Sequence, residues 1–280
     1  MSLLVSPDVA ERLERLDVPF NRYGLDPYGI SRRHLAYVFT TLSWFYRRYF
    51  RCSSWGIEHV PDRGRAMLIG NHSGGVPVDG AMLMAALFLD KDPPRLTHGM
   101  VEKFAQRLPF VSTWFSRAGQ FTGLPENAAR LLADERLLMV FPEGIRGVGK
   151  LYKDRYRLVD FGTGFLRLAL QTKSPIVPFA FIGGEEAVPT LFHIKGPARM
   201  VGLPYWPVPL QVLPIPLPVR CEIHFGKPLV FDGNGSETDD RIRGFVEVVK
   251  SKIAELIDRG REERLARDPE EGPAPDEAGP

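Results

Sequence analysis

Residues 66–80 read Ala-Met-Leu-Ile-Gly-Asn-His-Ser-Gly-Gly-Val-Pro-Val-Asp-Gly. The run Ala66–Ile69 is wholly apolar and predicts a buried strand, and the glycines and proline after it predict a turn. A helix is expected from about Gly80 to Leu89. The turn therefore holds His72 and Asp79 beyond the carboxyl end of a strand.

The same alternation of strand and helix continues along the chain. Short apolar runs predict further strands at Arg95–Met100, Leu137–Phe141, Ile176–Phe181 and Cys221–Phe225. Helical patterns lie between and after them, at Glu126–Asp134, Phe161–Thr172 and Asp239–Arg264. Strands separated by helices of this length predict an α/β fold with a mostly parallel central sheet flanked by helices. Sites in such sheets gather at the carboxyl ends of the strands.

Length and composition are those of a globular protein with one large core. The chain has 280 residues and a formal net charge of +2, so nucleic acid is not indicated as a partner. Its two cysteines, Cys52 and Cys221, argue against a disulfide framework and a cysteine metal site. The histidines lack the spacing of metal ligands, so we expect no bound metal. We also expect no bound cofactor.

Two apolar segments indicate contact with a membrane, although neither is expected to span one. The run from Leu35 to Tyr46 is too short to cross a bilayer, which needs about 20 apolar residues. Its aromatic residues and the arginines on both sides of it are typical of a helix at the lipid interface. The alternative is an amphipathic helix packed on the core. The second segment, Val201 to Val219, is so rich in proline that it predicts an extended apolar loop. Three places are open for this loop: dipping into lipid, lining an acyl-chain groove, or packing on the body of the protein.

A histidine close to a carboxylate can act as a general base toward a hydroxyl group. The carboxylate orients the ring and stabilises the imidazolium that forms when the proton is taken. His72-Ser73-Gly74-Gly75 also resembles the oxyanion loop of esterases, but no serine in the chain lies in the required Gly-x-Ser-x-Gly elbow. Without that nucleophile, His72 is expected to activate the hydroxyl of a substrate, which favours direct acyl transfer over hydrolysis.

A second chemical signal lies at residues 138–150, Leu-Met-Val-Phe-Pro-Glu-Gly-Ile-Arg-Gly-Val-Gly-Lys. A predicted strand ends in a turn that presents Glu143, and Arg146 and Lys150 follow among glycines whose backbone N–H groups can cradle a phosphate. Leu151 comes next, where a nucleotide P-loop needs Ser or Thr for magnesium, so NTP hydrolysis is not indicated. Phosphate binding stays open, and so does a surface turn with solvated charges.

Three blocks taken in order resemble those of the glycerolipid (lysophospholipid) acyltransferase family, of which 1-acylglycerol-3-phosphate acyltransferases are members. They are Asn71-His72 with Asp79, Phe141-Pro142-Glu143-Gly144-Ile145-Arg146, and Pro175-Ile176-Val177-Pro178-Phe179-Ala180. The resemblance covers roughly Trp55 to Leu229. It implies that His72 is the catalytic base and Asp79 its partner. It further implies that Glu143, Gly144 and Arg146 hold the acceptor, together with Lys103, which matches a lysine that commonly precedes the second block.

The sequence departs from the family pattern at two places. Six residues separate His72 from Asp79, where the family has four, and Pro77 stands at the usual position of the carboxylate. We expect the glycine-rich loop to bulge and return Asp79 to the imidazole. The second block, Gly119-Gln120-Phe121-Thr122-Gly123-Leu124, lacks the arginine that would grip an acceptor phosphate. The missing arginine therefore favours a neutral glyceride or another lipid hydroxyl as the acceptor.

The resulting hypothesis is a membrane-associated O-acyltransferase. It would move a fatty acyl group from acyl-CoA or an acyl carrier protein to a glycerolipid hydroxyl, and Gly74 or Gly75 would supply oxyanion N–H groups. The alternatives are an acyltransferase of mono- or diacylglycerol and a non-catalytic lipid-binding protein on the same fold. We expect a peripheral or monotopic location on the cytoplasmic face of a membrane.

The expected organisation has three parts. Residues 1–54 form an N-terminal helical segment at the membrane interface, 55–265 the acyltransferase domain, and 266–280 a disordered acidic tail. Glu185 and Glu186, beyond another predicted strand, are interpreted as charges at a helix N-terminus. The remaining histidines are interpreted as surface or core residues.

Overall fold

The computed structural model describes residues 5–74, 77–101, 111–194, 206–210 and 215–267. Its helices are α1 (Pro7–Glu14), α2 (Arg32–Trp44), α3 (Val78–Leu89), α4 (Val111–Arg117), α5 (Pro125–Ala133), α6 (Ile145–Val148), α7 (Gly164–Thr172), α8 (Gly184–Ala187) and α9 (Asp239–Arg267). Its strands are β1 (Ser53–Trp55), β2 (Ala66–Gly70), β3 (Thr97–Val101), β4 (Phe121–Thr122), β5 (Leu137–Val140), β6 (Ile176–Ile182), β7 (Thr190–Ile194), β8 (Trp206–Pro209) and β9 (Glu222–Phe225).

Within the described residues, seven strands form one sheet in the order β1-β9-β6-β2-β5-β3-β4. The run from β6 to β4 is parallel throughout, and β9 joins it antiparallel to β6. The prediction of an α/β fold with a mostly parallel central sheet flanked by helices is confirmed. The order puts β2 between β6 and β5, so the loops that leave these three strands meet at one edge.

Each face of the sheet is covered by its own group of helices. On one face, β2 and β6 side chains pack with α1, α2 and α3; on the other, they pack with α5, α7 and α9. β2 is buried along its whole length, which is why its sequence is continuously apolar instead of alternating. Helix α3 is also buried on nearly every side and reads as almost wholly apolar.

The N-terminal helices pack on the body of the protein. Leu35, Val38 and Phe39 of α2 are buried, and the Phe39 ring stacks on Phe88 of α3 with 3.8 Å between centroids. None of the helices in the described ranges is long and apolar enough to cross a bilayer. The division into residues 1–54, 55–265 and 266–280 stays a prediction; its first boundary falls inside β1, and most of the tail lies outside the described residues.

The proline-rich segment is described only in part. Its residues 206–209 form β8, which pairs with β7 in a separate antiparallel ribbon. Proline removes a ladder donor, so a two-stranded ribbon suits this sequence better than a place inside the main sheet. Residues 215–219 of the expected loop form no helix or strand, and residues 201–205 and 211–214 lie outside the described residues.

Candidate active site

His72 and Asp79 form a hydrogen-bonded pair at the carboxyl end of β2. The His72 Nδ1 and Asp79 Oδ2 atoms are 2.6 Å apart. The Asp79 side chain is fully buried, whereas the imidazole is 16 % exposed. Because an ionised carboxylate only accepts hydrogen bonds, this contact favours the tautomer of the neutral ring that has its proton on Nδ1 and its lone pair on Nε2. The imidazole is thus held in the tautomer that a general base requires.

The Asp79 carboxylate also closes the long loop that separates it from His72. Its Oδ2 accepts the Ser73 N–H at 2.8 Å and its Oδ1 accepts the Gly80 N–H at 2.7 Å. Asp79 lies in the first turn of α3, where the helix dipole favours a negative charge. Gly74 has φ +69°, and a Cβ there would lie 2.9 Å from the Gly184 carbonyl oxygen, so the loop needs glycine at that position.

Aromatic rings set the plane of the imidazole. The His72 ring stacks on Phe141, which follows β5, with 4.3 Å between centroids and an interplanar angle of 18°. Phe141 in turn meets Phe179 of β6 edge to face. On another side, a Cβ added at Gly147 would lie 2.9 Å from the His72 Cβ. These contacts leave the ring little freedom to rotate away from Asp79.

Asn71 joins the two strands beside the site. Its side-chain amide donates to the Phe181 carbonyl at 2.9 Å and its amide oxygen accepts the Phe181 N–H at 2.7 Å. This buried residue therefore continues the β2–β6 pairing beyond the last ladder bond. No structural role for Asn71 was predicted from the sequence; the available signal was a polar residue directly after a fully apolar strand.

Glu143 is turned toward the backbone of the protein. It is 2 % exposed, and its two oxygens accept the N–H groups of His72 at 2.8 Å and Val159 at 2.9 Å. The carboxylate therefore supports the loop that carries the imidazole. The family resemblance implied that Glu143 holds the acceptor, which stays a prediction.

Lys150 lies in a buried group of charges beneath this turn. Its Nζ is 3.5 Å from Glu143 Oε2 and 3.2 Å from Glu185 Oε1, and it donates to the Arg157 carbonyl at 3.1 Å. Burial raises the pKa of Glu185, and the Lys150 ammonium opposes that rise.

The structure decides one open alternative and confirms one prediction for these residues. Lys150 is not available to bind a phosphate, because its side chain is 3 % exposed and faces two carboxylates. Glu185 and Glu186 lie in the first turn of α8, as predicted for charges at a helix N-terminus, and Glu185 is in addition a buried ion-pair partner of Lys150. No local pattern indicates this pairing, since 34 residues of chain lie between the two side chains.

The other predicted site residues are placed less centrally. Gly144 is the N-cap of α6 and has φ +55°. Arg146 is exposed, and its guanidinium donates to the Asp160 carbonyl at 3.1 Å. Lys103 and Gly75 lie outside the described residues. Gly74 lies in the loop after His72, as the geometry of that loop requires.

Gln120 is the one polar side chain of the second block with several described contacts to the backbone. It is buried, accepts the Gly99 N–H at 2.8 Å, and donates to the Thr97 and Ala118 carbonyls. Gln120 thus fastens β3 to the segment before β4. Elsewhere in the described part of the chain, no three His, Cys, Asp or Glu side chains gather in a group that could hold a metal ion.

Comparison with known proteins agrees with this arrangement. The sequence model of the family described as Acyltransferase matches residues 51–182, which include His72, Asp79, Glu143 and Arg146. An uncharacterized protein of Mycobacterium tuberculosis is 37 % identical over 254 residues, which are 88 % of this chain and 67 % of the relative. The chain therefore belongs to the acyltransferase family and is an enzyme of that class.

Two more distant similarities add detail. The human "DGAT1/2-independent enzyme synthesizing storage lipids" is 25 % identical over 208 residues, covering 73 % of this chain and 60 % of the human protein. The crystal structure of the 1-acyl-sn-glycerophosphate (LPA) acyltransferase PlsC from Thermotoga maritima superposes with a TM-score of 0.51 at 18 % identity, covering 79 % of this chain and 81 % of that one. At that identity the superposition shows a shared fold.

Proposed function

We propose that this enzyme transfers a fatty acyl group from a thioester to a hydroxyl group of a glycerolipid, with His72 as the general base. The observation that carries the proposal is the 2.6 Å contact between His72 Nδ1 and the fully buried Asp79 carboxylate. It leaves Nε2 as the basic atom of the ring. Transfer to a substrate hydroxyl suits a chain whose sequence contains no serine nucleophile elbow.

The reaction needs two proton movements and one tetrahedral intermediate. Nε2 takes the proton of the acceptor hydroxyl as that oxygen attacks the thioester carbonyl carbon, and Asp79 stabilises the imidazolium. The carbonyl oxygen becomes an oxyanion. When the intermediate collapses, the C–S bond breaks, and the leaving sulfur takes the proton back from Nε2. The products are the acylated lipid and the free thiol, and the enzyme returns to its starting state.

The oxyanion would be stabilised by backbone N–H groups of the glycine-rich loop. Gly74 directly follows Ser73, whose own N–H is occupied by Asp79, and Gly75 is the next candidate along the loop. Removing one such donor typically costs about 10²–10³ in rate. The thiol carrier, coenzyme A or an acyl carrier protein, is to be identified by supplying the same acyl chain on each.

Among glycerolipid acceptors, we favour a neutral glyceride over a lysophosphatidate. The second block has no arginine to bind an acceptor phosphate, and its Gln120 binds backbone groups. Lys150 is buried between Glu143 and Glu185. Arg146 remains an exposed cation of the Glu143 turn. The similarity to enzymes named for storage-lipid synthesis points the same way.

The enzyme is proposed to act at a membrane surface, bound to the cytoplasmic face. Exposed apolar side chains lie on α2 and on the β7 and proline-rich segments, and Trp44 and Phe192 are each more than half exposed. The two regions touch, because the Tyr49 hydroxyl donates to the Pro216 carbonyl at 2.7 Å. Further members of this apolar surface are Leu191, Ile194, Leu210, Ile215 and Leu217. Exposed arginines beside it, Arg47, Arg48 and Arg51, suit anionic lipid headgroups.

The decisive experiment compares His72→Ala with the wild-type protein in a radiolabelled palmitoyl-CoA assay. The acceptors are monoacylglycerol, diacylglycerol, lysophosphatidate and glycerol 3-phosphate, presented in vesicles or in solution as each requires. We expect wild-type transfer with monoacylglycerol or diacylglycerol, and a loss of at least about 10²-fold in His72→Ala. His59→Gln is the control, because the His59 ring contacts the Phe225 carbonyl and takes no part in the site.

Each alternative has its own signature in that assay. Release of free palmitate without any acceptor would indicate an esterase. Vesicle binding with no transfer to any acceptor would indicate a lipid-binding protein on the same fold. Equal turnover by His72→Ala and wild type would refute the general-base mechanism.

A further inference from the structure

We infer that Lys150 is a positioning residue, which holds the Glu143 carboxylate against the His72 backbone, and that Glu185 is its counter-ion. This inference rests on the proposed function, since the loop it stabilises is the one that carries the proposed base. Neither residue is expected to touch the substrate, because both side chains are 3 % exposed. Their effect would reach the imidazole through Glu143.

Lys150 connects loops that arrive at the site from different strands. Its Nζ lies 3.5 Å from Glu143, which follows β5, and 3.2 Å from Glu185, which follows β6. It also donates to the Arg157 carbonyl in the segment that contains Val159. Glu143 completes the set by accepting the N–H of His72, which follows β2. One ammonium group thus lies where the loops after three neighbouring strands converge.

The positive charge of Lys150 favours the form of Glu143 that accepts hydrogen bonds at both oxygens. Glu143 must remain an acceptor at both oxygens to hold the N–H groups of His72 and Val159. An adjacent cation favours the ionised, acceptor-only form of a buried carboxyl group. Lysine is rarely buried unless it is paired, and here the buried ammonium is paired with the carboxylates of Glu143 and Glu185.

Glu185 anchors the lysine to the other side of the His72 loop. Helix α8 begins at Gly184, where an added Cβ would lie 1.9 Å from the Ser73 hydroxyl, so this turn packs directly on the residue after His72. Glu185 also accepts the Tyr156 N–H at 3.4 Å. The pair Lys150–Glu185 therefore links the β6–α8 turn to the Glu143 turn across the base of the loop.

The test uses three variants and one control in the full-length protein. Lys150→Met removes the ammonium and keeps the chain length, Glu185→Gln removes the counter-ion, and the double variant removes both. Lys153→Met is the matched control, because Lys153 is an exposed lysine in the same segment. For each protein, kcat and KM for palmitoyl-CoA, the melting temperature and the hydrogen exchange of the His72 amide are measured, the last by NMR.

A positioning role and a purely structural role predict different results for the double variant. Lys150→Met leaves two buried carboxylates without their cation, so both stability and kcat should fall, with kcat reduced about 10²-fold and KM near the wild-type value. Removing Glu185 as well should restore much of the melting temperature. If Lys150 positions Glu143, kcat stays low in the double variant, and the His72 amide exchanges faster than in wild type.

The inference fails if the double variant regains kcat together with its melting temperature, or if Lys150→Met turns over like Lys153→Met. It also fails if His72 amide exchange is unchanged in the double variant. Should Lys150→Met not fold, the double variant and Glu185→Gln still carry the comparison. If the wild-type enzyme transfers to none of the acceptors, the proposed function fails, and the amide exchange still tests the positioning role by itself.

Discussion

Replacing Asp79 with Asn tests the proposed dyad by exchanging one carboxylate oxygen for an NH₂ group. The native carboxylate accepts three hydrogen bonds, from His72 Nδ1 and Ser73 N–H at Oδ2 and from Gly80 N–H at Oδ1. An asparagine has only one acceptor oxygen, so its NH₂ group must face at least one of these donors. If the NH₂ group faces Nδ1, the imidazole takes the other tautomer and Nε2 no longer accepts a proton.

The structure sets the size of the effect. With Nδ1 and Oδ2 2.6 Å apart, the imidazolium and carboxylate charge centres lie about 4 Å from each other, which is worth about 4 kcal/mol at an effective dielectric constant near 20. That attraction exists only after His72 has taken the proton. Losing it should therefore reduce kcat by about 10³-fold, at roughly 1.4 kcal/mol for each factor of ten. An unmatched buried donor should also cost about 1–3 kcal/mol of stability.

The measurement is kcat for acyl transfer at saturating palmitoyl-CoA, alongside the free energy of unfolding in urea. Asp240→Asn is the control, because Asp240 is exposed in the first turn of α9. An Asp79→Asn enzyme that is folded and retains kcat within tenfold of wild type would refute the reasoning. The proposed base would then work without a charged partner.

Three further predictions concern packing, pH and membrane binding. Gly147→Ala should lose about 1–3 kcal/mol of stability and most of the activity, because the new Cβ would lie 2.6 Å from the Glu143 Cβ. Gly164→Ala is the control, since the new Cβ there would meet open space, and its kcat and melting temperature should equal those of wild type. Burial lowers the pKa of His98 from about 6.5 to about 4, so its protonation favours the unfolded chain; the free energy of unfolding should fall by roughly 3 kcal/mol as the pH drops through that window. His98→Asn should flatten this loss in urea titrations at several pH values. Replacing the exposed Trp44 and Phe192 with Ser should weaken flotation with phosphatidylglycerol vesicles at least about tenfold. Added salt should also weaken the binding of the wild-type protein. Unchanged flotation of the double variant would show that this surface is not the membrane-binding surface.

The longer strands of the sheet and the helices that cover it could be predicted from the sequence, because their apolar patterns are strong. The Ala66–Ile69 run is observed as Ala66–Gly70, and the predicted helix at Phe161–Thr172 is observed at Gly164–Thr172. Short elements were not predicted. Strand β4 covers two residues, and β1 covers three, too few for a hydrophobic period to be read. Each of them pairs with a longer strand, β1 with β9 and β4 with β3.

At the site, local sequence predicted which residues lie near one another but not what each one contacts. His72 and Asp79 were expected to meet across a turn, and the described hydrogen bond joins them. The contacts of Glu143 with two backbone N–H groups depend on where the β2 loop and residue 159 arrive in space. No spacing along the chain encodes such a meeting.

Local sequence patterns were enough to predict the alternation of strands and helices, the position of His72, Asp79 and Glu143 after apolar strands, and the resemblance to acyltransferases. Each of these properties is local, because periodicity and turn chemistry act over a few residues. The burial of Lys150 between Glu143 and Glu185, and the link that Asn71 makes between β2 and β6, follow instead from the folded arrangement. Those pairings depend on strand order, which brings distant loops to one edge of the sheet and excludes water from the charges between them.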